Sequence, residues 1–199
     1  MNSPTEIQLN WFLYAMILMI FTLYPHGISA TNYHVSDSYE ISDVMDNAQP
    51  GDTLIMRNGY WTDQYIQFDG EGSEGAPIVL RAEEPGRVLV NGTSVLRIDG
   101  AYLVVDGLYF KSGYTYSSHV IKFESGTHHS RLTNTAIVNY NPPSDIDNKW
   151  ISVYGFHNRV DHCYMAGKRN GGTTLTIWLS GTSNNKHRID HNYFGNRPE

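Results

Sequence analysis

The sequence predicts an all-β fold, a parallel β-helix closed at its N-terminal end by a short capping helix. Three observations carry this. A six-residue phrase occurs four times: VDGLYF from Val105, LTNTAI from Leu132, VDHCYM from Val160 and IDHNYF from Ile189, the starts 27, 28 and 29 residues apart. Ahead of each phrase lies a short run rich in β-branched and aromatic residues, at 95–98, 120–123, 150–153 and 175–178. These runs alternate, as in VIKF and ISVY, which is the period of a strand. Finally, no repeat carries ten residues at the 3.6 period, and the L-x-x-L-x-L frame is missing. Helical solenoids and leucine-rich repeats are thereby set aside, and coils of short strands joined by turns remain.

The elements follow in chain order. Residues 11–24 form an apolar run broken only by Thr22, short for a membrane span and of signal-peptide length. Ile28-Ser29-Ala30 offers a cleavage site, although the segment before the run holds Glu6 and no Lys or Arg. Residues 1–30 are therefore expected to be a cleaved signal peptide, with an uncleaved anchor as the other reading. Residues 31–199 are expected to form one domain of a secreted protein. Ile41, Val44, Met45 and Ala48 fall on one face of a short helix, which Pro50-Gly51-Asp52 stops before TLIM begins a strand. Such a helix would cover core at the first coil. Loops are expected at 69–77 (DGEGSEGAP), 140–148 (YNPPSDIDN) and 167–172 (GKRNGG).

Within the coils, like residues stack on like one coil away. Val105, Leu132, Val160 and Ile189 should form one buried stack, and Phe110, Ile137, Met165 and Phe194 another. The third place of the phrase reads Gly107, Asn134, His162, His191, expected to be a polar ladder serving turn backbone groups. A metal held by His162 and His191 alone would be a poor site. Arg159 and Arg188 stack as coil-surface charges. After Phe194 nothing caps the last coil, so the sequence reads as the N-terminal part of a longer β-helix, with an exposed edge.

The single cysteine, Cys163, excludes an internal disulfide and lies inside a repeat, where a buried inert thiol is expected. Asn91-Gly92-Thr93 is a glycosylation sequon. The net charge is −6, unevenly spread: residues 31–148 hold 7 basic and 16 acidic side chains, residues 149–199 hold 7 and 3. The basic C-terminal part points to an anionic partner.

The order of motifs resembles polysaccharide lyase family six, the chondroitinase B and alginate lyase group. The resemblance rests on AQPGDTLIMRNGYW (48–61), KWISVYGFHNRVDHCYMAGKRNGGTTLTIWL (149–179) and HRIDHNYFGNRPE (187–199). It implies a right-handed parallel β-helix that cleaves an acidic polysaccharide by β-elimination. A metal, usually calcium, pairs with the uronate carboxylate so that a lysine can remove the C5 proton, and an arginine helps protonate the leaving oxygen. The family's metal ligands (an Asn and a Glu-x-Glu), its Lys and its Arg come after the phrase matched by HNYFGNRP. No catalytic or metal residue is carried onto this chain, and the chain by itself is expected to be inactive. Calcium is expected for the full-length family member, with no ligand for it in this chain.

For the substrate groove the resemblance and the charge together point to Lys168 and Arg169 on their glycine-flanked loop, and to Arg197. Trp150 and Trp178 are aromatic candidates, with core or edge packing the preferred reading. The expected partner is an acidic polysaccharide, with neither nucleic acid nor, once the signal is gone, a membrane. The rival is a non-catalytic glycan-binding or surface β-helix. A hydrolase is disfavoured because stacked Asp161 and Asp190 would lie about 4.8 Å apart, closer than the roughly 6.5–9.5 Å an inverting pair needs.

Overall fold

The computed structural model describes residues 30–143, 146–179 and 185–196. The signal-peptide expectation falls outside these residues. Strands, numbered β1 to β18 in chain order, lie in three parallel sheets that the chain visits in turn. Sheet A holds β1 (Asn32–Val35), β2 (Thr53–Met56), β5 (Ile78–Ala82), β8 (Leu103–Asp106), β11 (Arg131–Thr133), β14 (Arg159–Asp161) and β17 (Arg188–Asp190). Sheet B holds β3 (Gly59–Thr62), β6 (Val88–Asn91), β9 (Tyr109–Lys111), β12 (Ala136–Val138), β15 (Tyr164–Ala166) and β18 (Tyr193–Phe194). Sheet C holds β4 (Tyr65–Glu71), β7 (Val95–Ala101), β10 (His119–Phe123), β13 (Lys149–Val153) and β16 (Leu175–Ile177). Every pairing between named strands is parallel, and each strand pairs with its counterpart one coil away. This is the β-helix that the repeat predicts.

The register reproduces the expected stacks. Val105 pairs with Leu132, Leu132 with Val160 and Val160 with Ile189. Phe110, Ile137, Met165 and Phe194 line up in the same way. Both stacks are buried through Val160 and Met165, then open at the last described coil. There Ile189 is half-buried and Phe194 is 53% exposed. The capping helix α1 (Ser38–Met45) forms because Asp37 accepts a hydrogen bond from the Glu40 N–H while Glu40 accepts one from the Ser36 N–H. It packs on β4 and buries Ile41 and Met45 over the first coil. The loop read at 69–77 is shorter than expected. Asp69, Gly70 and Glu71 continue β4 and pair with Asp99, Gly100 and Ala101.

The recurring corner residues have a backbone cause. Gly107, Asn134, His162 and His191 all sit at positive φ, +80°, +49°, +52° and +54°. A one-residue left-handed corner joins β8 to β9 and repeats in each later coil. Asn and His tolerate that region better than most side chains. The ladder does not serve turn backbone groups, which corrects the expectation. Asn134 Nδ2 donates to Asp106 Oδ1 (2.9 Å), and the His162 and His191 Nδ1 atoms lie 2.6 and 2.7 Å from Asp161 and Asp190 Oδ2. The two rings stack at 5.0 Å and 6°, each already engaged by a carboxylate. Cys163 is buried, and burial pushes its thiol up to about 12, leaving it protonated and inert.

Candidate substrate-binding surface

The residues singled out from the sequence divide three ways. Lys168 does not reach outward as expected. It is 6% exposed, its Nζ donates to Asn148 O and Asn170 Oδ1 (both 2.9 Å) and lies 5.3 Å from the Trp150 ring centre. An amine between an aromatic face and two oxygens holds the 167–172 loop onto the body. Arg169, next to it, is exposed, and its backbone N–H donates to Asn141 Oδ1 (2.9 Å). Arg197 lies outside the described residues. Trp150 is core, its indole N–H donating to Tyr140 O (2.6 Å).

The stacked arginines are more than surface charges. Arg131 donates to both oxygens of Asp161 (2.7 and 2.5 Å), one coil further on, and Arg159 to both of Asp190 (3.0 and 2.9 Å). Arg159 also lies 3.1 Å from Asp161, and Arg188 pairs with Asp190. Burial pushes the Asp161 carboxyl up, but Arg131, His162 and Arg159 outweigh it and hold the group below the usual carboxylate range. Both aspartates are thus committed to a diagonal ladder and do not flank a bond. This ladder also absorbs part of the C-terminal positive charge inside the coils.

The outer face of sheet C carries a surface that the sequence reading missed. Lys122 aligns with Arg97 and Ser152, and Ser152 with Thr176. Beyond this row stand Asp99, within β7, and Glu124, Tyr154 and Trp178, past the ends of β10, β13 and β16. Lys122 pairs with Glu124 and lies 5.2 Å from the Tyr154 ring centre. Tyr154 stacks on Trp178 at 5.4 Å and 6°, and Trp178 is 38% exposed, at the edge rather than in the core. Arg97 is held by Ser117 Oγ (2.8 Å) and His119 O (3.2 Å). His119 Nδ1 lies 2.8 Å from Ser152 Oγ. Burial, then the charges of Arg97, Lys122 and Lys149, lower the His119 pKa to about 4. The imidazole is therefore neutral at pH 7. Burial, Glu124 and Asp69 push the Asp99 carboxyl up. The face thus combines a buried arginine, a lysine paired with Glu124, a second carboxylate at Asp99 and the partly exposed Tyr154–Trp178 ring stack.

The His119 shift has a measurable consequence. A histidine whose folded pKa is depressed contributes stability that is lost as pH falls through its unfolded value near 6.5 toward 4. The loss should be about 1–2 kcal/mol after allowing for solvent screening at this half-exposed group. Thermal unfolding of the wild type and a His119→Gln variant from pH 7 to 4 checks it. The wild type should lose more stability than the variant, and equal losses would exclude His119 as the cause.

Among the described residues no group of three or more His, Cys, Asp or Glu side chains comes together to hold a metal. The acid–imidazole row Asp161–His162 and Asp190–His191 is engaged by arginines and offers nitrogen where calcium prefers oxygen.

Three parallel sheets wound by short corners place the molecule among the parallel β-helix proteins. The sequence profile of the Chondroitinase B family matches residues 35–199. The chain belongs to that family. The family-six alginate lyase AlyGC matches at 42% identity and a TM-score of 0.80, over 84% of this chain and 24% of its own. A mannuronic acid specific family 6 lyase from human gut microbiota matches at 34% and 0.76, over 84% of this chain and 42% of its own. The family-six lyase Pedsa3628 from Pseudopedobacter saltans matches at 28% and 0.71, over 82% of this chain and 46% of its own. The chain thus spans between a quarter and a half of the length of these lyases. No match was found among curated protein sequences.

Proposed function

We propose that this chain is part of a polysaccharide lyase that cleaves an acidic, uronate-containing polysaccharide, of the alginate or dermatan sulfate type, by β-elimination. Membership of the Chondroitinase B family carries the reading, supported by the 42% identity to an alginate lyase. In this reading the whole protein is secreted behind a cleaved signal peptide and uses calcium supplied by residues outside this chain. Proton transfer likewise belongs to residues beyond Glu199. That division is supported by how small a share of the related lyases the chain covers. Residues 30–196 contribute the first coils and a binding surface in which Arg169 meets the polyanion while Lys168 shapes the loop from beneath; Arg197 is a further proposed contact on the charge of the sequence alone.

The test is product analysis. Protein expressed from the complete gene should release unsaturated uronate ends, seen by near-ultraviolet absorbance, from alginate or dermatan sulfate. The 199-residue chain should bind without releasing them. Product from the 199-residue chain would overturn the division of labour, and binding without product by the complete protein would favour a glycan-binding β-helix.

A further inference from the structure

An open groove of about 500 Å³ lies at the corner between sheets B and C, walled by Ser112, Gly113, Tyr114, Asn139, Asn141 and Arg169. Three successive coils build it: residues 112–114 follow β9, Asn139 and Asn141 follow β12, and Arg169 follows β15. Its size is that of a small-ligand site. Its described lining holds one guanidinium, two carboxamides, a hydroxyl and a half-exposed phenol ring, with no carboxylate among the described residues.

The walls are held before any ligand arrives. Asn141 is engaged at both ends of its amide, Oδ1 accepting from the Arg169 N–H (2.9 Å) and Nδ2 donating to Gly167 O (2.7 Å). The Arg169 backbone is thereby tied to the coil before it. Asn139 presses on Gly167, where an added Cβ would stand 2.1 Å from Asn139 Oδ1. Gly113 lies on the buried Tyr140 ring and on Gly92 O, each 2.5 Å from where its Cβ would be. Tyr140 is itself anchored, its hydroxyl donating to Ser94 O (2.7 Å). A floor fixed in this way loses little freedom on binding.

We propose that this groove is a subsite for one acidic sugar unit. Its carboxylate is taken by the Arg169 guanidinium, its hydroxyls by Asn139 and Asn141, and its ring lies against Tyr114. The proposal rests on the acidic-polysaccharide reading above and adds to it a place and a set of contacts. A planar guanidinium matches a carboxylate in a two-pronged way that a point charge does not. The amides and the phenol ring favour a sugar acid over a bare inorganic anion.

The experiment is calorimetric titration of the 199-residue protein with tetramannuronate, with neutral mannotetraose and with inorganic phosphate. Variants are Arg169→Ala, Arg169→Lys, Tyr114→Ala and Tyr114→Phe. These side chains are exposed or half-exposed, so unchanged thermal unfolding verifies the fold. The wild type should prefer tetramannuronate. Arg169→Ala should weaken it roughly tenfold and Arg169→Lys less, because lysine keeps the charge without the fork. Tyr114→Ala should weaken binding, and Tyr114→Phe should leave it unchanged. Wild-type binding that ignores Arg169 would overturn the subsite alone, and equal binding of the neutral sugar or of phosphate would overturn its sugar-acid selectivity. A wild type that binds no tetramannuronate would overturn the subsite together with the acidic-polysaccharide reading for this chain.

Discussion

Replacing Leu132 by Ala should destabilise the protein by about 2–5 kcal/mol. Leu132 is fully buried, and its register partners Val105 and Val160 are fully buried on either side. Neighbours fixed in their own ladders cannot collapse into the space, which places the cost in the upper part of that range. The same logic gives a gradient that a single variant cannot. Phe110→Ala, at a fully buried position, should cost about 3–5 kcal/mol. Phe194→Ala, on the 53% exposed final coil, should fall under about 1 kcal/mol. Chemical denaturation of the three variants measures all of this. A cost at Phe194 equal to that at Phe110 would mean that the last coil is covered in solution.

Replacing Asp161 by Ala should be nearly as damaging through a different route. Its carboxylate is wholly buried and takes both prongs of Arg131 while Arg159 stands 3.1 Å away. Removing one partner of a buried pair costs about 3–5 kcal/mol, because the remaining charge is left without compensation. Here the arginine side chains keep 28–38% exposure, and water can reach them, so the lower end applies. Asp161→Asn, which keeps shape and one acceptor, should cost less. An Arg131→Met/Asp161→Leu double variant should recover part of the loss, since apolar groups of similar volume can replace such a pair. Losses that simply add in the double variant would show that the two side chains are not coupled.

The last four coils were legible because one phrase repeats there with its core positions in phase. The earlier coils were not read as repeats. From Leu80 to Val90, which pair with Val105 and Phe110, the chain takes ten residues rather than five, with Glu83–Arg87 looped between. The phrase is simply not there to find. The stacking of Arg159 on Arg188 and of Asp161 on Asp190 could be read. The diagonal pairing could not, because it depends on a side chain reaching forward by one coil. Lys168 differs from its expected place for a similar reason: a lysine between glycines looks like a surface residue, and only Trp150 and Asn148 from the previous coil, with Asn170 of its own loop, turn it inward. The sheet C face was hidden until the phase of each alternating strand was known. VIKF shows the alternation, but it does not say that Lys122 shares a face with Tyr154 and Trp178.

The one-residue corner between sheets A and B has a consequence for how such a molecule can be altered. In the last four coils the step from the sheet A core position to its sheet B counterpart never varies: Val105 to Phe110, Leu132 to Ile137, Val160 to Met165, Ile189 to Phe194. The slack is carried elsewhere. From sheet B to sheet C the chain runs from Phe110 to Ile121, then Ile137 to Ile151, then Met165 to Leu175, a different length each time. The return from sheet C to sheet A varies as well. One edge of the triangular cross-section therefore behaves as a spine that keeps the coils in step, and the two corners flanking sheet C behave as tailoring seams. Segments can be let out or taken in at those seams without shifting the hydrogen-bond ladder. The face between them is the part of the molecule most open to reshaping, whether by evolution or by a protein engineer.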